Sequence, residues 1–87
     1  MYRDEYSEVL VKKLRKIKRK DHGLYISIMK KVDYILENPN HAYKLLHYRM
    51  KGVMRIHINP FVLTFVIDEA KKSVSFEDFD HHDKIYR

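Results

Sequence analysis

The sequence has no cysteine, no tryptophan and no glutamine, and only two glycines and two prolines among its 87 residues. Without cysteine there is neither a disulfide framework nor a thiolate metal site, so stability has to come from packing, which fits a reducing compartment. Long apolar runs are also missing, and none approaches the ~20 residues needed to cross a bilayer. The opening "MYRDEYSE" is the reverse of a basic-then-apolar signal peptide. These absences lead to the expectation of a cytoplasmic protein with no membrane contact. The length leaves room for one domain, 1–87, with a modest core, since chains of this size bury only about 60 to 65% of the surface they expose when unfolded.

What the sequence does have is positive charge, unevenly placed. The net charge is +6, and seven of the nine residues in "KKLRKIKRK", Lys12 to Lys20, are basic. Eight of the twelve acids lie before Glu8 or after Ile67. A basic stripe on one element is the footprint of a protein that meets phosphates or an acidic chain. It is also what a plain solvated helix face looks like, because lysine is a good helix former and is mostly exposed.

Periodicity predicts two helices followed by strands. Tyr6, Leu10, Leu14 and Ile17 recur at helical spacing and predict a helix from about Asp4 to Lys20, with most of the basic residues off the apolar stripe. Asp21 is placed to cap a second helix that buries Leu24, Ile28, Val32, Ile35 and Leu36 and stops at "ENPN", where Pro39 forbids continuation. From Tyr43 the period falls to two. "YKLLHYRM", "VMRIHI", "PFVLTFVID" and "SVSFEDF" read as strands, with turns at Lys51–Gly52 and "DEAKK". In "VMRIHI", Met54, Ile56 and Ile58 face one way, and Arg55 and His57 the other. The third segment is apolar almost throughout and reads as a central strand. The predicted fold is α+β: an N-terminal αα-hairpin packed on one face of a mainly antiparallel, roughly four-stranded sheet. Phe76 reads as core, and Phe79 has no clear place in the pattern.

From Asn38 onward, "NPNHAYKLLHYRMKGVMRIHI", then "LTFVID" and a closing "HHDKIY", the chain resembles the RelE/ParE superfamily of bacterial and archaeal toxins. The strand "RIHINPFVLTFVID" is most similar to the YafQ-type branch, in which such a strand carries a functional histidine; His57 stands at that position. His82, four residues before Tyr86, matches a second histidine of that branch, and His47 is a looser match to a third. Two positions depart from the pattern. Val62 follows Phe61 where many members have arginine, and Asp80 and His81 occupy the region of a usual C-terminal arginine.

The resemblance implies a ribosome-dependent mRNA endoribonuclease that needs no metal and no cofactor. In this chemistry the ribose 2′-OH attacks its own 3′-phosphate. A base takes the 2′ proton, an acid protonates the leaving 5′ oxygen, and cations hold the charge that builds on phosphate. Histidine suits both proton roles because its ordinary pKa lies near working pH. The expected assignment is His57 as base, His82 or Tyr86 as acid and Arg55 on the phosphate, with Arg49, Lys51, Lys84 and His47 as further RNA contacts. The resemblance also implies an acidic, RelB-like antitoxin as partner, besides mRNA and the ribosome.

Plainer readings stand beside these. Taken alone, His57 reads as an ordinary exposed histidine, and its place beside Arg55 opposite the core is what shifts the reading toward function; Tyr86 also reads as an aromatic that pins the C-terminus. A metal pair at His81 and His82 is disfavoured, because adjacent residues of an extended strand point to opposite faces. Two other functions also fit: a ParE-like or catalytically silent toxin that acts by binding only, and a plain nucleic-acid-binding α+β module.

Overall fold

In the computed structural model, which describes residues 1–46 and 52–85, a strand and not a helix comes first. Strand β1 is Arg3–Tyr6, and helix α1, Glu8–Lys20, starts four residues later than its apolar spacing predicts. Ser7 sets that boundary. Its hydroxyl accepts the Leu10 N–H at 3.0 Å, satisfying one of the amides left free at a helix start. Glu8 in the first turn and Lys18, Arg19 and Lys20 in the last complement the helix dipole. Tyr6, expected on the helical stripe, therefore belongs to the sheet, where it stacks on Phe76 at 5.4 Å between ring centroids.

Asp21 ends α1 and caps helix α2, His22–Glu37, by accepting the Leu24 N–H at 3.1 Å. The helix closes at Asn38, whose N–H returns to the carbonyls of Tyr34 and Ile35. After it come β2 (Lys44–Leu45), β3 (Val53–Ile58), β4 (Phe61–Asp68), β5 (Ser73–His81) and a single-turn helix α3 (His82–Ile85). Only Lys44–Leu45 of the predicted first strand is strand among the described residues. The last strand runs on to His81, so the tail histidines divide between β5 and α3.

The sheet has five strands where four were expected, in the order β1-β5-β4-β3-β2. The additional strand is β1, which pairs with β5 in parallel from Arg3↔Ser73 to Tyr6↔Phe76, while the other pairings are antiparallel. β4 lies in the middle, as its apolar run predicts. The helical hairpin covers one face: Leu10 of α1 and Ile28, Val32, Ile35 and Leu36 of α2 pack on Leu63, Phe65, Val74, Phe76 and Phe79. Glu77 has no partner in β4, since Thr64 pairs with Asp78 and Phe65 with Phe76. This bulge brings Phe76 and Phe79, three apart, onto the same buried face, which places the phenylalanine that alternation left open.

Lys13 leaves α1 to grip the C-terminal half of β5. Its ammonium donates to Asp78 at 2.7 Å, to Asp80 at 3.0 Å and to the Phe79 carbonyl at 3.1 Å. Desolvation works against the charge of Lys13, but its bonds to Asp78 and Asp80 outweigh it and raise its pKa. Lys13 in turn holds the Asp80 carboxyl below its ordinary 3.8. A carboxylate whose folded pKa is depressed stabilises the fold above its unfolded pKa, and that contribution is lost as pH falls through the folded one. Lys13→Met is expected to flatten the acid limb of stability below about pH 4, by a modest amount because these groups are about one-third exposed. Urea midpoints from pH 2 to 7 for both proteins check this; parallel curves would remove Asp80 from the acid limb.

Candidate active site

The face of the sheet opposite the helical hairpin carries the groups that the sequence marks for chemistry. The alternation in β3 sends Met54, Ile56 and Ile58 into the core, leaving Arg55 and His57 on this second face. Antiparallel register then aligns His57, Val62 and Asp80 across β3, β4 and β5. Adjacent strands are ~4.8 Å apart, so Asp80 lies roughly 10 Å from His57 with buried Val62 between them.

His82 arrives from the other end of the chain. Its backbone N–H donates to the Pro60 carbonyl at 3.0 Å, tying the start of α3 to the β3–β4 turn. That tie brings its ring to 5.9 Å from His57, centroid to centroid and inclined by only 23°. Two imidazoles 25 positions apart thus form a stacked pair. The stack leaves no layer between the rings for another group, so a bound phosphate has to sit at their shared edge, where a nitrogen of each ring can reach it.

Arg55 completes the group. Its Nε donates to the Leu45 carbonyl at 3.2 Å, and its Nη1 lies 3.4 Å from His57 Nδ1. Guanidinium has no acceptor, so in this contact Nδ1 accepts and the proton of neutral His57 sits on Nε2. Partial burial, then the charge of Arg55, then His82 and Lys44, lower the His57 pKa below its ordinary 6.5. The neutral, proton-accepting form is thereby favoured near pH 7. Arg55→Gln is expected to raise the His57 pKa, read from its ring protons in an NMR titration. An unmoved midpoint would remove Arg55 as a cause.

The remaining candidates are placed less centrally. Lys84 is exposed on α3, and its charge acts on Asp80. His81 turns away from His57, edge-on to Phe61 at 6.2 Å, with its Nδ1 accepting the Asp83 N–H at 3.3 Å. Asp83 also stands 3.6 Å from His82 Nδ1. No metal-binding cluster forms among the described residues. Tyr86, His47, Arg49 and Lys51 lie outside the described residues. Sequence reasoning missed the group just beyond His57, where Tyr34, His41, Tyr43 and Lys44 line one cleft with Arg55 and His57. Its signal was the aromatic and histidine content of "NPNHAYK", read above only as a helix stop, the start of a strand and part of the resemblance.

No protein-family model matches the chain. Over its whole length it is 43% identical to a Methanocaldococcus jannaschii protein assigned the name toxin RelE4, covering 93% of that protein. It is 46% identical to an uncharacterised protein of Methanosarcina mazei, covering 99% of this chain and all of the relative. Among solved structures, it superposes on a chain of the intact Escherichia coli RelBE toxin–antitoxin complex with a TM-score of 0.78 at 21% identity, covering 93% of this chain and 96% of the other. For a chain of the RelBE2 toxin–antitoxin complex of Mycobacterium tuberculosis the TM-score is 0.74 at 16% identity, covering 93% and 98%. At these identities the structural matches speak for the fold.

Proposed function

The chain belongs to the RelE toxin family, and on that premise we propose that it is the toxin of a toxin–antitoxin pair, an endoribonuclease that cleaves mRNA on the ribosome without a metal. The observation that carries the reading is the stacked His57–His82 pair with Arg55 against it. Such a group supplies what 2′-OH attack requires: a base, an acid and a cation, held on strand β3 and the short helix α3.

The contact between Arg55 and His57 gives the reaction an order. While Arg55 points at Nδ1, the lone pair needed to take a proton is engaged. An incoming phosphate offers the guanidinium a stronger, charge-assisted partner. As Arg55 turns to it, Nδ1 is released beside the 2′-OH. His57 then removes that proton, the 2′ oxygen attacks phosphorus in line, and the 5′ oxygen leaves with a proton from His82 or Tyr86. The products are a 2′,3′-cyclic phosphate and a free 5′-OH. Lys84 and Lys44 add positive charge around the site, and Arg49, Lys51 and His47 are assigned to the same RNA path.

The partner is an acidic antitoxin. The exposed Lys12, Arg15, Lys16, Lys18, Arg19 and Lys20 of α1 would speed its encounter by Coulomb attraction. Between α1 and α2, Tyr6, Leu14, Tyr25 and Met29 line an apolar groove rimmed by Arg15 and Lys18, which suits an amphipathic acidic helix.

The test is cell-free translation of a full-length mRNA with EDTA at a level that spares the ribosome's magnesium, mapping new 5′ ends and their hydroxyl chemistry. Cleavage within the coding region that persists under chelation and ends in 5′-OH supports the reading. A second reading, a toxin that acts by binding alone, is favoured by buried Val62 and acidic Asp80 in the row beside His57. It expects intact mRNA from folded protein that still binds its antitoxin.

A further inference from the structure

The cleft that runs from His57 to the C-terminal end of α2 is built for more than a phosphate. Its far wall is a series of rings. Tyr34 stands edge-on to His41 at 5.9 Å, His41 lies 4.8 Å from Tyr43, and Tyr43 stands edge-on to core Phe65 at 5.2 Å. Lys44 lies along the floor, opposite Arg55 in the β2–β3 pairing.

Packing accounts for Tyr43 but not for the other two rings. Tyr43 is partly buried, its hydroxyl donates to the Asn38 carbonyl at 2.8 Å, and its ring seats on Phe65. Tyr34 is 43% exposed, and His41 is exposed as well. Among the described residues no hydrogen bond engages the His41 ring. Yet the loop that presents it is firmly braced. The Asn38 carbonyl accepts both the Tyr43 hydroxyl and the His41 N–H, the latter at 3.2 Å, and the His41 carbonyl accepts the Tyr43 N–H at 2.9 Å. An exposed ring on the last turn of α2 and a second on a braced loop thus open into the same cleft as the candidate phosphate site. An exposed ring beside fixed cations is how proteins hold an unstacked base, because every base has a π-face and its phosphates meet the cations.

We infer that Tyr34 and His41 form a nucleobase-stacking subsite for the nucleotide next to the scissile phosphate, with Lys44 on its backbone. This rests on the ribonuclease reading above and adds a contact to the base where that reading has contacts only to phosphate and ribose. Stacking of this kind tolerates any base, so the subsite strengthens binding more than it selects sequence.

The experiment is an NMR titration of the metal-free protein with the four nucleoside 5′-monophosphates and, as the base-free probe, ribose 5-phosphate. The expected result is that nucleotides bind about tenfold tighter than ribose 5-phosphate, the size of one base stacked on an aromatic ring. The amides of Tyr34 and His41 move only with the nucleotides, while the His57 ring moves with both. The double variant Tyr34→Ala, His41→Ala should bind nucleotide and ribose phosphate alike. Tyr34→Phe, which keeps the ring, should retain the preference. Equal affinity of the wild type for both probes, or silence at residues 34 and 41 while His57 shifts, overturns the subsite and leaves the cleavage reading standing. Movement at 34 and 41 with His57 unmoved keeps the base site and removes the phosphate site on which cleavage depends.

Discussion

His57→Ala is expected to slow mRNA cleavage by a factor of roughly 10² to 10⁴, the range that a positioned general base contributes. His82→Ala should fall in the same range if it is the acid. The double variant should lose little more than the worse single one, because two groups acting on one transition state do not contribute independently. Both rings are exposed, so both variants should fold and bind antitoxin normally. Single-turnover cleavage on programmed ribosomes, with antitoxin binding as the control for folding, measures this. Full activity of His57→Ala would end its role as base. If the losses multiply instead, the two histidines serve separate steps, and the stacked pair is not the unit.

Phe65→Ala is expected to be the most damaging change to the fold. Phe65 is fully buried at the centre of the middle strand, in aromatic contact with Tyr43 and Phe76. Truncating a buried phenylalanine removes about 3 to 5 kcal/mol. A chain of 87 residues has a total stability of roughly 4 to 13 kcal/mol, scaling from about 0.05 to 0.15 per residue. The substitution therefore takes away between a quarter and all of it. Ile26→Ala, at a side chain 40% exposed on α2, should stay within about 0.5 kcal/mol. Urea unfolding of both variants makes the comparison. A Phe65→Ala midpoint close to the wild type's would mean that the core is not centred on β4.

Strand alternation carried most of what the sequence could say about the site. In "VMRIHI" it separates core from chemistry without error, since Met54, Ile56 and Ile58 are packed and Arg55 and His57 are not. The helical spacing was less reliable at its first member. Tyr6 falls four residues before Leu10, as a helical residue would, but Ser7 followed by Glu8 is a helix-start signal that outranks one matching interval. The strand before it gains stability only by pairing with residues some seventy positions away, and no local pattern announces such a partner. Phe79 was unplaced for a related reason: a bulge at Glu77 changes the face of everything beyond it, and bulges have no dependable sequence mark. The approach of His82 to His57 depends on register across three strands and on one bond to Pro60. Resemblance could single out the two histidines, but only the fold gives the stacking. The cleft at Tyr34 and His41 joins a helix end to a sheet edge, two places that periodicity treats separately.

The grip of Lys13 on β5 also bears on how copies of this chain meet one another. Among the described residues, β5 has no neighbouring strand on its outer side past Phe76, and a bare row of amides and carbonyls there would be a template for a second chain. Those groups are already occupied. The Glu77 carbonyl accepts the Ser7 hydroxyl, the Phe79 carbonyl accepts Lys13, and the N–H groups of Phe79 and His81 are turned onto Asp78 and Asp80 at 2.8 and 2.7 Å. An added strand would have to break four local bonds before making its own. Growth of a surplus of this protein into sheet-extended fibres is therefore disfavoured at this end, because each new backbone bond there replaces one already made.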